Sequence, residues 1–400
     1  MAPGVIDDHR GSSGTIRVAI LGSTGSVGEQ GLDVIRLVPH RFEVVALAAH
    51  GRVEQLRQQA IEFRPRYLSC RSGRDAEALR LEAAAWGGGF APLDAIATAP
   101  EVDVVLVATT GLASLHPTIA ALRAGKKVAI ANKETLVVGG HAVRAALDEG
   151  RARGAEIRPV DSEHSAIWQC LWGEASESVE TLTLTASGGA FRDWDLAALE
   201  GVTAQEALNH PTWKMGPKIT IDSATLFNKG LEAIEARWLF DIPLDRVEIL
   251  QHRESVIHSM VTFRDGSIKA QLGEPDMRLP VQVALLYPER GDAKPAPPLD
   301  LAKRGALHFG AVDEARFPAL SIAIEAGRRD DTSAAAVAGA DESAVAHFLA
   351  GRIRFTDIAR LLGRALEAHA PTTEPSLDDL LAAESWGRAF VDQAVTAGVV

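Results

Sequence analysis

Short apolar runs alternate with helix-like stretches over the first 160 residues of the chain. The runs have the length and the valine, isoleucine and leucine content of buried strands, and they lie at 16–21, 42–48, 102–108 and 128–131. A helix ending near Val38 follows the first run, and other helix-like stretches lie at 56–63, 115–124 and 142–153. Alternating strands and helices predict a parallel, doubly wound sheet of the α/β class.

The pattern changes between residues 161 and 290. Runs with strand character occur there at 181–185, 247–251, 256–263 and 267–272. Asp265-Gly266 favours a hairpin turn between the last two runs, and one helix is predicted over 224–240. This region is therefore predicted to be an α+β domain with a mainly antiparallel sheet.

A proline-rich connector at 287–298 follows this region. Beyond it, four helical stretches at 317–328, 333–349, 356–369 and 376–397 predict a small helical bundle. Ser376–Asp379 has the spacing of a capping box, and Thr356-Asp357 offers another helix start. The predicted organisation is a loose tail at 1–15, domains at 16–160 and 161–290, a linker at 291–315 and a helical domain at 316–400.

The length predicts two or three domains, because 400 residues exceed what one hydrophobic core usually holds. With 46% hydrophobic and 24% charged residues, the chain has the composition of a soluble globular protein. Its formal charge of -12 argues against general binding to nucleic acid or to anionic membranes.

Cys70 and Cys170 are too few for a disulfide framework, which suits a reducing compartment. No apolar run approaches the length of about 18 residues that a membrane span requires. The first residues lack the apolar core of a signal peptide. We therefore expect a cytoplasmic protein.

Two carboxylates, Asp161 and Glu163, follow a predicted strand at 156–160, and a third, Glu232, lies on the predicted helix at 224–240. Side chains two residues apart in an extended segment point to one side, so Asp161 and Glu163 can meet. Two ionised carboxylates about 4 Å apart repel by roughly 4 kcal/mol at an effective dielectric near 20. Mg²⁺ or Mn²⁺, which prefer oxygen ligands, would relieve that repulsion. The alternative is three unrelated surface acids.

The loop Gly22-Ser23-Thr24-Gly25-Ser26-Val27-Gly28 lies between the first predicted strand and its helix. Glycines permit a tight turn there, so amides at the helix N-terminus can bind a pyrophosphate. An ordinary turn is the alternative, yet the order of strand, loop and helix is that of a Rossmann-like dinucleotide-binding domain. The candidate cofactor contacts are Thr24, Gly25, Ser26, Val27 and Gly28.

The segment after the second predicted strand bears on the choice of cofactor. NAD enzymes usually place an acid there to bind the ribose 2′-hydroxyl. This chain has His50-Gly51-Arg52 instead, with no acid before Glu54. Arg52 can bind a 2′-phosphate, so NADP is preferred over NAD, and the candidate contacts are His50, Gly51 and Arg52. The alternative for Arg52 is a solvated residue at a helix start.

Three clusters suit an anionic ligand. Ser187-Gly188-Gly189 offers amides and a hydroxyl after a predicted strand, and Ser223 is predicted at the N-terminus of the helix that carries Glu232. On that helix Asn228, Lys229 and Glu232 share one face. Such a face suits a ligand with an anionic end and metal-bound oxygens. A solvated face with an ion pair is the alternative.

The segment 187–216, with His210 and Trp213 near its end, is predicted to be a lid that excludes water. Purely structural roles are the alternative for both residues. Lys133 follows a predicted strand at the edge where ligands bind in open α/β sheets, so it would face both cofactor and substrate. A polar turn is the alternative there.

Taken together, these motifs closely resemble those of the 1-deoxy-D-xylulose 5-phosphate reductoisomerase family. The matching segments are Gly22–Gly28, Ala131–Glu134, Pro159–His164, Ala186–Gly189, His210–Gly216, Ile221–Thr225, Asn228–Glu232 and Gly273–Arg278. They extend across residues 16–290 in the family's order, and the helical tail fits the family's C-terminal domain. At Gly51-Arg52, some members have lysine or asparagine in place of the arginine.

The resemblance implies roles for individual residues. The divalent metal (Mg²⁺, Mn²⁺ or Co²⁺) would be held by Asp161, Glu163 and Glu232. Substrate contacts are implied for Lys133, Ser162, Glu163, Ser187, His210, Trp213, Ser223, Asn228, Lys229 and Glu232. NADPH contacts are implied for Gly25, Ser26, Asn132, Glu134 and Gly216. The catalytic candidates are Lys133, Glu163, His210 and Glu232, and Trp213 and Met215 would lie on the lid.

The implied reaction converts 1-deoxy-D-xylulose 5-phosphate to 2-C-methyl-D-erythritol 4-phosphate in non-mevalonate isoprenoid synthesis. A retro-aldol and aldol rearrangement would be followed by hydride transfer from NADPH, in a homodimer. The alternative is another NADP-dependent dehydrogenase of a phosphorylated substrate. One acting on acyl phosphates would need a cysteine nucleophile, yet Cys70 and Cys170 lie outside every motif. A non-catalytic NADP-sensing module would be expected to lack the three carboxylates.

Overall fold

A computed structural model describes residues 14–213 and 215–399 of the chain. Most of the predicted tail at 1–15, and Lys214 in the predicted lid, lie outside these residues. The chain forms two compact units. The first unit comprises the described residues up to Thr135, Ala142–Trp168 and Asp276–Pro298. The second unit comprises Leu136–His141, Gln169–Pro275 and the described residues from Leu299 onward.

The secondary structure of the described residues consists mainly of the following strands and helices. The strands are β1 Ile16–Leu21, β2 Phe42–Ala48, β3 Tyr67–Ser69, β4 Gly89–Phe90, β5 Val104–Val107, β6 Lys127–Ile130, β7 Glu156–Pro159, β8 Val179–Ala186, β9 Val247–His252, β10 Ile257–Phe263, β11 Ile268–Leu272 and β12 Phe309–Ala311. The helices are α1 Ser26–Leu37, α2 Val53–Phe63, α3 Arg74–Ala84, α4 Leu93–Thr98, α5 Leu115–Arg123, α6 Lys133–Gly150, α7 Ser162–Cys170, α8 Ala204–Ala207, α9 Pro217–Thr225, α10 Phe227–Phe240, α11 Arg278–Leu286, α12 Leu301–Arg304, α13 Pro318–Arg328, α14 Ser333–Leu349, α15 Phe355–Ala368 and α16 Leu377–Thr396.

The first unit contains a seven-stranded sheet in the order β4-β3-β2-β1-β5-β6-β7, and its neighbouring strands pair in parallel. In the central strand, Val18 pairs with Val44 of β2 and with Val104 of β5. All three side chains are buried, which explains why these strands occur as continuous apolar runs in the sequence. The chain changes direction across the sheet at β1, as it does in dinucleotide-binding domains. The predicted doubly wound sheet is confirmed.

Several elements of the first unit differ from the predictions. α6 begins at Lys133, well before the predicted start at Ala142, because the side chain of Asn132 caps the helix by accepting from the amide of Thr135. Strands β3 and β4 were not predicted, since they are too short to show a period. Helix α11 was not predicted either. It packs against α1 and adds Val281 and Leu285 to the core of this unit.

The second unit contains a five-stranded sheet in the order β11-β10-β8-β9-β12. β10 is antiparallel to β8 and β11, and β9 is antiparallel to β12, whereas β8 and β9 are parallel. The prediction of a mainly antiparallel sheet is confirmed. The predicted turn at Asp265-Gly266 joins β10 to β11, and the carboxylate of Asp265 accepts from the amide of Ser267. β12 lies within the predicted linker at 291–315.

The helix predicted over 224–240 corresponds to α10, while residues 224 and 225 belong to the end of the preceding helix α9. The chain breaks between them at Leu226, whose φ of 59° is left-handed, and the hydroxyl of Thr225 accepts from the amide of Phe227. Ser223 was predicted at the N-terminus of the helix carrying Glu232. That placement is wrong, because Ser223 lies in the last turn of the preceding helix α9.

Helices α13 to α16 confirm the predicted C-terminal bundle. The predicted capping box at Ser376 is present, whereas α15 begins before the predicted Thr356, with Asp357 accepting from the amide of Arg354. α14 and α16 pack closely at two glycines: a Cβ at Gly339 would lie 1.9 Å from the Glu384 carbonyl oxygen, and Gly387 is equally close to α14. Among the described residues, no helix has both the length and the hydropathy needed to cross a membrane.

Candidate active site

The glycine loop joins β1 to α1 at the carboxyl edge of the parallel sheet. The amide of Gly22 donates to the carbonyl oxygen of Ala48, at 2.8 Å, which ties the loop to β2. A Cβ at Gly28 would lie 2.2 Å from the carbonyl oxygen of Gly22, so only glycine permits this approach of helix to loop. α1 begins at Ser26 after Gly25, and no described side chain caps it. Its first amides therefore face outward for an anion such as a pyrophosphate.

Side chains at the start and in the middle of α2 hold the same loop. Arg52, the N-cap residue of α2, donates from Nη1 to the carbonyl oxygen of Thr24 at 2.8 Å. Gln59 is buried, accepts from the Ser23 hydroxyl at 2.8 Å and donates to the Ser23 carbonyl oxygen at 3.0 Å. The structure thus places the predicted segment His50–Arg52 beside the glycine loop. Gln59 was missed, because one polar residue on an amphipathic helix gives no signal in the sequence.

Asn132, Lys133 and Glu134 lie at the start of α6, after β6. The Asn132 amide group donates to the carbonyl oxygens of Thr109 and Gly111, both at 2.8 Å, in addition to capping the helix. These two hydrogen bonds use both donor hydrogens of the Asn132 side chain. A cofactor would therefore contact the backbone of Asn132 or the oxygen of its side-chain amide. Glu134 lies in the first turn of α6.

The predicted carboxylate pair is adjacent in space, although its backbone is not extended. β7 ends at Pro159, and Glu163 lies in the first turn of helix α7, with Asp161 just before it. The prediction that both residues continue a strand is therefore wrong. One oxygen of each carboxylate nevertheless lies within 4.8 Å of the other.

Two neighbouring groups contact this carboxylate pair. The buried ammonium of Lys133 lies 2.6 Å from Oδ2 of Asp161. The hydroxyl of Ser162 donates to Oε2 of Glu163 at 2.5 Å. The sequence-predicted residues Lys133, Asp161, Ser162 and Glu163 therefore form one cluster in the first unit.

In the second unit, the predicted polar face of α10 is present. Asn228 donates to Oε1 of Glu232 at 2.5 Å, and the ammonium of Lys229 contacts Oε2 of the same carboxylate. Lys229 and Glu232 are buried, at 5% and 2% exposure. A buried ion pair costs desolvation of both charges, which a purely packing role would not require. This face is therefore suited to a charged ligand.

His210 brings two predicted residues of the second unit together. Its Nε2 lies 3.2 Å from the hydroxyl oxygen of Ser187 and 3.1 Å from that of Ser223. Its Nδ1 accepts from the amides of Thr212 and Trp213, at 3.1 Å and 2.9 Å. Because Nδ1 accepts twice, the proton of the neutral ring is on Nε2 and points towards the two serines.

The charge of His210 follows from its surroundings. Burial, with a smaller contribution from the positive charge of Arg192, lowers the pKa of His210 from 6.5 to about 4. At neutral pH the ring is therefore uncharged and acts as a hydrogen-bond donor. The cluster of Ser187, His210 and Ser223 consists of small hydroxyls and one N–H group, which suits the oxygens of a phosphate.

Comparisons with known proteins agree with this geometry. The 1-deoxy-D-xylulose 5-phosphate reductoisomerase family model matches residues 18–140, and models of its C-terminal domains match residues 157–240 and 272–390. The chain is 48% identical to the 1-deoxy-D-xylulose 5-phosphate reductoisomerase of Geobacillus kaustophilus over 380 residues, which cover 94% of this chain and 98% of that relative. The corresponding protein of Heliobacterium modesticaldum is 50% identical over 390 residues, covering 96% and 98%. The chain belongs to the 1-deoxy-D-xylulose 5-phosphate reductoisomerase family.

Solved structures of the same family have the same fold. The reductoisomerase of Zymomonas mobilis, in complex with NADPH, matches with a TM-score of 0.89 and 40% identity, over 96% of this chain and 99% of that one. A DOX-P reductoisomerase in complex with NADPH, fosmidomycin and magnesium matches with a TM-score of 0.87 and 37% identity, over 95% and 98%. The family assignment made from the sequence motifs is confirmed.

The residues that the reductoisomerase family resemblance assigns to a metal have suitable chemistry. Asp161 and Glu163 offer adjacent carboxylate oxygens, and Glu232 offers a third carboxylate. Neither sulfur nor imidazole belongs to this set, so it fits a hard cation such as Mg²⁺ or Mn²⁺. The glycine loop fits a dinucleotide equally well, since its helix start has no side-chain cap.

The predicted lid at 187–216 contains the short helix α8 and a 3-10 helix at Leu196–Gly201. Near its end, the Trp213 ring lies 6.4 Å from the His258 ring, measured between centroids. Gly216 is the N-cap residue of α9. His258 was missed by the sequence reasoning, because it lies on strand β10 outside every motif.

Acidification is expected to destabilise this reductoisomerase through its buried histidines. Burial is the main cause that lowers the pKa values of His210 and His258 from 6.5 to about 4. The folded state therefore binds protons less readily than the unfolded chain, so this stability is present above pH 6.5 and is lost as the pH falls through about 4. In thermal melts across this range, His258→Gln should show a smaller fall in Tm than the unmodified protein. Identical falls would exclude His258 as a source of the acid sensitivity.

Proposed function

We propose that the protein catalyses the NADPH-dependent conversion of 1-deoxy-D-xylulose 5-phosphate to 2-C-methyl-D-erythritol 4-phosphate. The carbon skeleton is rearranged by a retro-aldol and an aldol step, and the resulting aldehyde is reduced by hydride transfer. The observation that carries this proposal is the cluster of Ser187, His210 and Ser223, in a chain that belongs to the reductoisomerase family over nearly its whole length.

The phosphate group of the substrate is bound by Ser187, His210, Ser223, Asn228 and Lys229. His210 donates from Nε2, and the ammonium of Lys229 supplies the positive charge. Nδ1 of His210 also accepts hydrogen bonds from the amides of Thr212 and Trp213. The same imidazole ring therefore contacts both the bound phosphate and the end of the lid. Binding energy from the phosphate, far from the reacting carbons, thereby orients the substrate and closes the lid.

Asp161, Glu163 and Glu232 are the proposed ligands of the divalent cation. When bound, such a cation polarises a substrate carbonyl and stabilises developing negative charge on oxygen, which is worth several kcal/mol. Ser162 orients Glu163 through the hydrogen bond to Oε2.

Lys133 is the proposed source of positive charge beside the reacting carbons. Its ammonium is buried and held by Asp161 at 2.6 Å. In that position it can stabilise an alkoxide or deliver a proton to an oxygen of the substrate. Trp213, near the end of the lid, excludes water from the reaction.

The proposed NADPH contacts begin at the glycine loop, where Thr24, Gly25, Ser26, Val27 and Gly28 receive the pyrophosphate. The adenosine end lies beside His50, Gly51 and Arg52, and the remaining contacts come from Asn132, Glu134 and Gly216.

The direct test of the whole proposal is NADPH oxidation with 1-deoxy-D-xylulose 5-phosphate and Mg²⁺ or Mn²⁺, before and after chelation. Absence of turnover, or turnover that a chelator leaves unchanged, would contradict it.

Replacing Arg52 with alanine is expected to weaken NADPH binding about tenfold more than NADH binding. Only NADPH carries the 2′-phosphate, and a charged hydrogen bond is worth about 1.5–3 kcal/mol. Loss of the bond from Arg52 to Thr24 affects both cofactors alike, so the ratio of the two dissociation constants is the informative measurement. The exposed Arg71, which follows β3 in the chain, supplies the control Arg71→Ala. If the ratio of the NADPH and NADH dissociation constants is the same in Arg52→Ala and in the control, Arg52 does not bind the 2′-phosphate.

We further propose that the protein acts as a homodimer in the cytoplasm. The first part rests on the family resemblance. The second agrees with two unpaired thiols, Cys70 and Cys170, of which Cys170 has a pKa raised to about 11 by burial and is poorly reactive. Sedimentation equilibrium of the purified protein tests the dimer, and a single species with the mass of one chain would contradict it.

A further inference from the structure

One buried charge network of the second unit has no role in the reaction as proposed. The ammonium of Lys218, in the first turn of α9, lies 2.6 Å from Oδ2 of Asp222 on the same helix and 2.8 Å from Oδ2 of Asp341 on α14. Glu342 of α14 is the next carboxylate, at 3.8 Å. Asp222 and Asp341 are buried, with 2% and 0% exposure.

The network has more negative than positive groups. The ammonium of Lys218 contacts two buried carboxylates, and desolvation opposes the ionisation of both. Burial raises the pKa of Asp341, against the opposing charge of Lys218. The ion pairs of Lys218 with Asp222 and Asp341 therefore link helix α9 to helix α14.

The network lies next to the phosphate-binding cluster along the chain. α9 begins directly after the predicted lid, and Asp222 immediately precedes Ser223, whose hydroxyl oxygen is 3.1 Å from Nε2 of His210. Lys218 also lies over the Phe227 ring of α10, 6.0 Å from its centroid. Ser223 lies on α9, so the position of this helix determines the position of Ser223. α9 is in turn linked to α14 by the ion pair between Lys218 and Asp341.

We propose that Lys218 and Asp341 form a brace through which helix α14 of the C-terminal bundle fixes α9 and thereby positions Ser223 for the phosphate of the substrate. Both are positioning residues, since neither touches the substrate. This inference rests on the proposed function in taking Ser223 as a phosphate contact. The charged groups that face Asp341 among the described residues are Lys218, Asp222 and Glu342.

Two substitutions at one position test the brace. Asp341→Leu removes the partner of Lys218, and it is expected to raise KM for 1-deoxy-D-xylulose 5-phosphate about tenfold, since small displacements of a binding group have effects of this size or more. kcat and KM for NADPH should change less than about twofold. Asp341→Asn keeps the shape of the side chain and an oxygen that can accept from Lys218. It should restore KM.

A control and a second measurement separate this inference from the proposed function. Ser343→Ala removes a bond from α14 to Asp392 of α16, at 2.6 Å, without touching α9, and it should leave KM unchanged. Inorganic phosphate serves as an independent probe: the rise in Tm that it causes should be smaller in Asp341→Leu than in the unmodified protein or in Asp341→Asn. If the unmodified protein does not turn over the substrate, the proposed function fails, while the phosphate measurement still decides on the brace.

Two results would overturn the brace. One is a folded Asp341→Leu variant with unchanged KM and an unchanged response to phosphate. The other is an Asp341→Asn variant as impaired as Asp341→Leu. If Asp341→Leu does not fold, Lys218→Met takes its place, with the same expected rise of KM.

Discussion

Replacing Glu232 with glutamine is expected to lower kcat/KM at least about 10³-fold while NADPH binding is unchanged. Loss of one carboxylate from a divalent cation site removes several kcal/mol of charge stabilisation, and each 1.4 kcal/mol is tenfold in rate. Glutamine keeps the shape of the side chain and its position between Asn228 and Lys229. The substitution thus isolates the charge.

The effect of Glu232→Gln is measured by steady-state kinetics, and Mn²⁺ binding is measured separately by electron paramagnetic resonance. The variant should bind Mn²⁺ at least about tenfold more weakly. NADPH titration and the melting temperature report whether the fold is intact. Exposed Glu248 on β9 provides the matched control, Glu248→Gln, which should behave as the unmodified protein. Near-normal activity of Glu232→Gln would show that this carboxylate is not a metal ligand.

Replacing His210 with alanine is expected to lower kcat/KM for the substrate about 100-fold, with little change in KM for NADPH. Two groups of hydrogen bonds are lost in this variant, and both losses weaken substrate binding. The phosphate loses a hydrogen bond of the kind worth about 1.5–3 kcal/mol, and the amides of Thr212 and Trp213 lose their acceptor. Since the ring is neutral above its pKa of about 4, the effect should be the same at neutral and at mildly alkaline pH.

Kinetics of His210→Ala should be compared with those of His116→Ala, which removes an exposed imidazole on α5. A second comparison uses His210→Gln, which keeps one donor and one acceptor and should recover part of the lost activity. If His210→Ala affects NADPH and the phosphorylated substrate equally, the ring does not belong to a phosphate site.

The long helices and strands were predictable from the sequence because burial of their side chains produces a recognisable pattern of apolar residues. β1 and β2 occur as apolar runs since their side chains are buried, and α14 occurs as an alanine-rich helix for the same reason. The short strands β3, β4 and β12 leave no such trace. Their hydrogen-bond partners belong to other strands far away in the chain, so neighbouring residues do not encode them.

The roles of the candidate site residues stay predictions, whereas the backbone predicted for two of them is wrong. Asp161 and Glu163 were placed on an extended segment, whereas Glu163 lies in a helix. Ser223 was placed at the start of α10, whereas it lies near the end of α9. In both cases the motif fixes which residue types are close in the chain, and the surrounding structure decides where a helix begins or breaks.

By itself, the sequence determined the doubly wound sheet, the C-terminal helical bundle, the family and the candidate residues, because periodicity and motif spacing are local properties of a chain. Only the tertiary structure decided that His210 is neutral, that Gln59 is hydrogen-bonded to the glycine loop and that Lys218 forms an ion pair with Asp341. The physical reason is that charge state depends on burial and on partners from distant segments. Those quantities do not exist until the chain has folded.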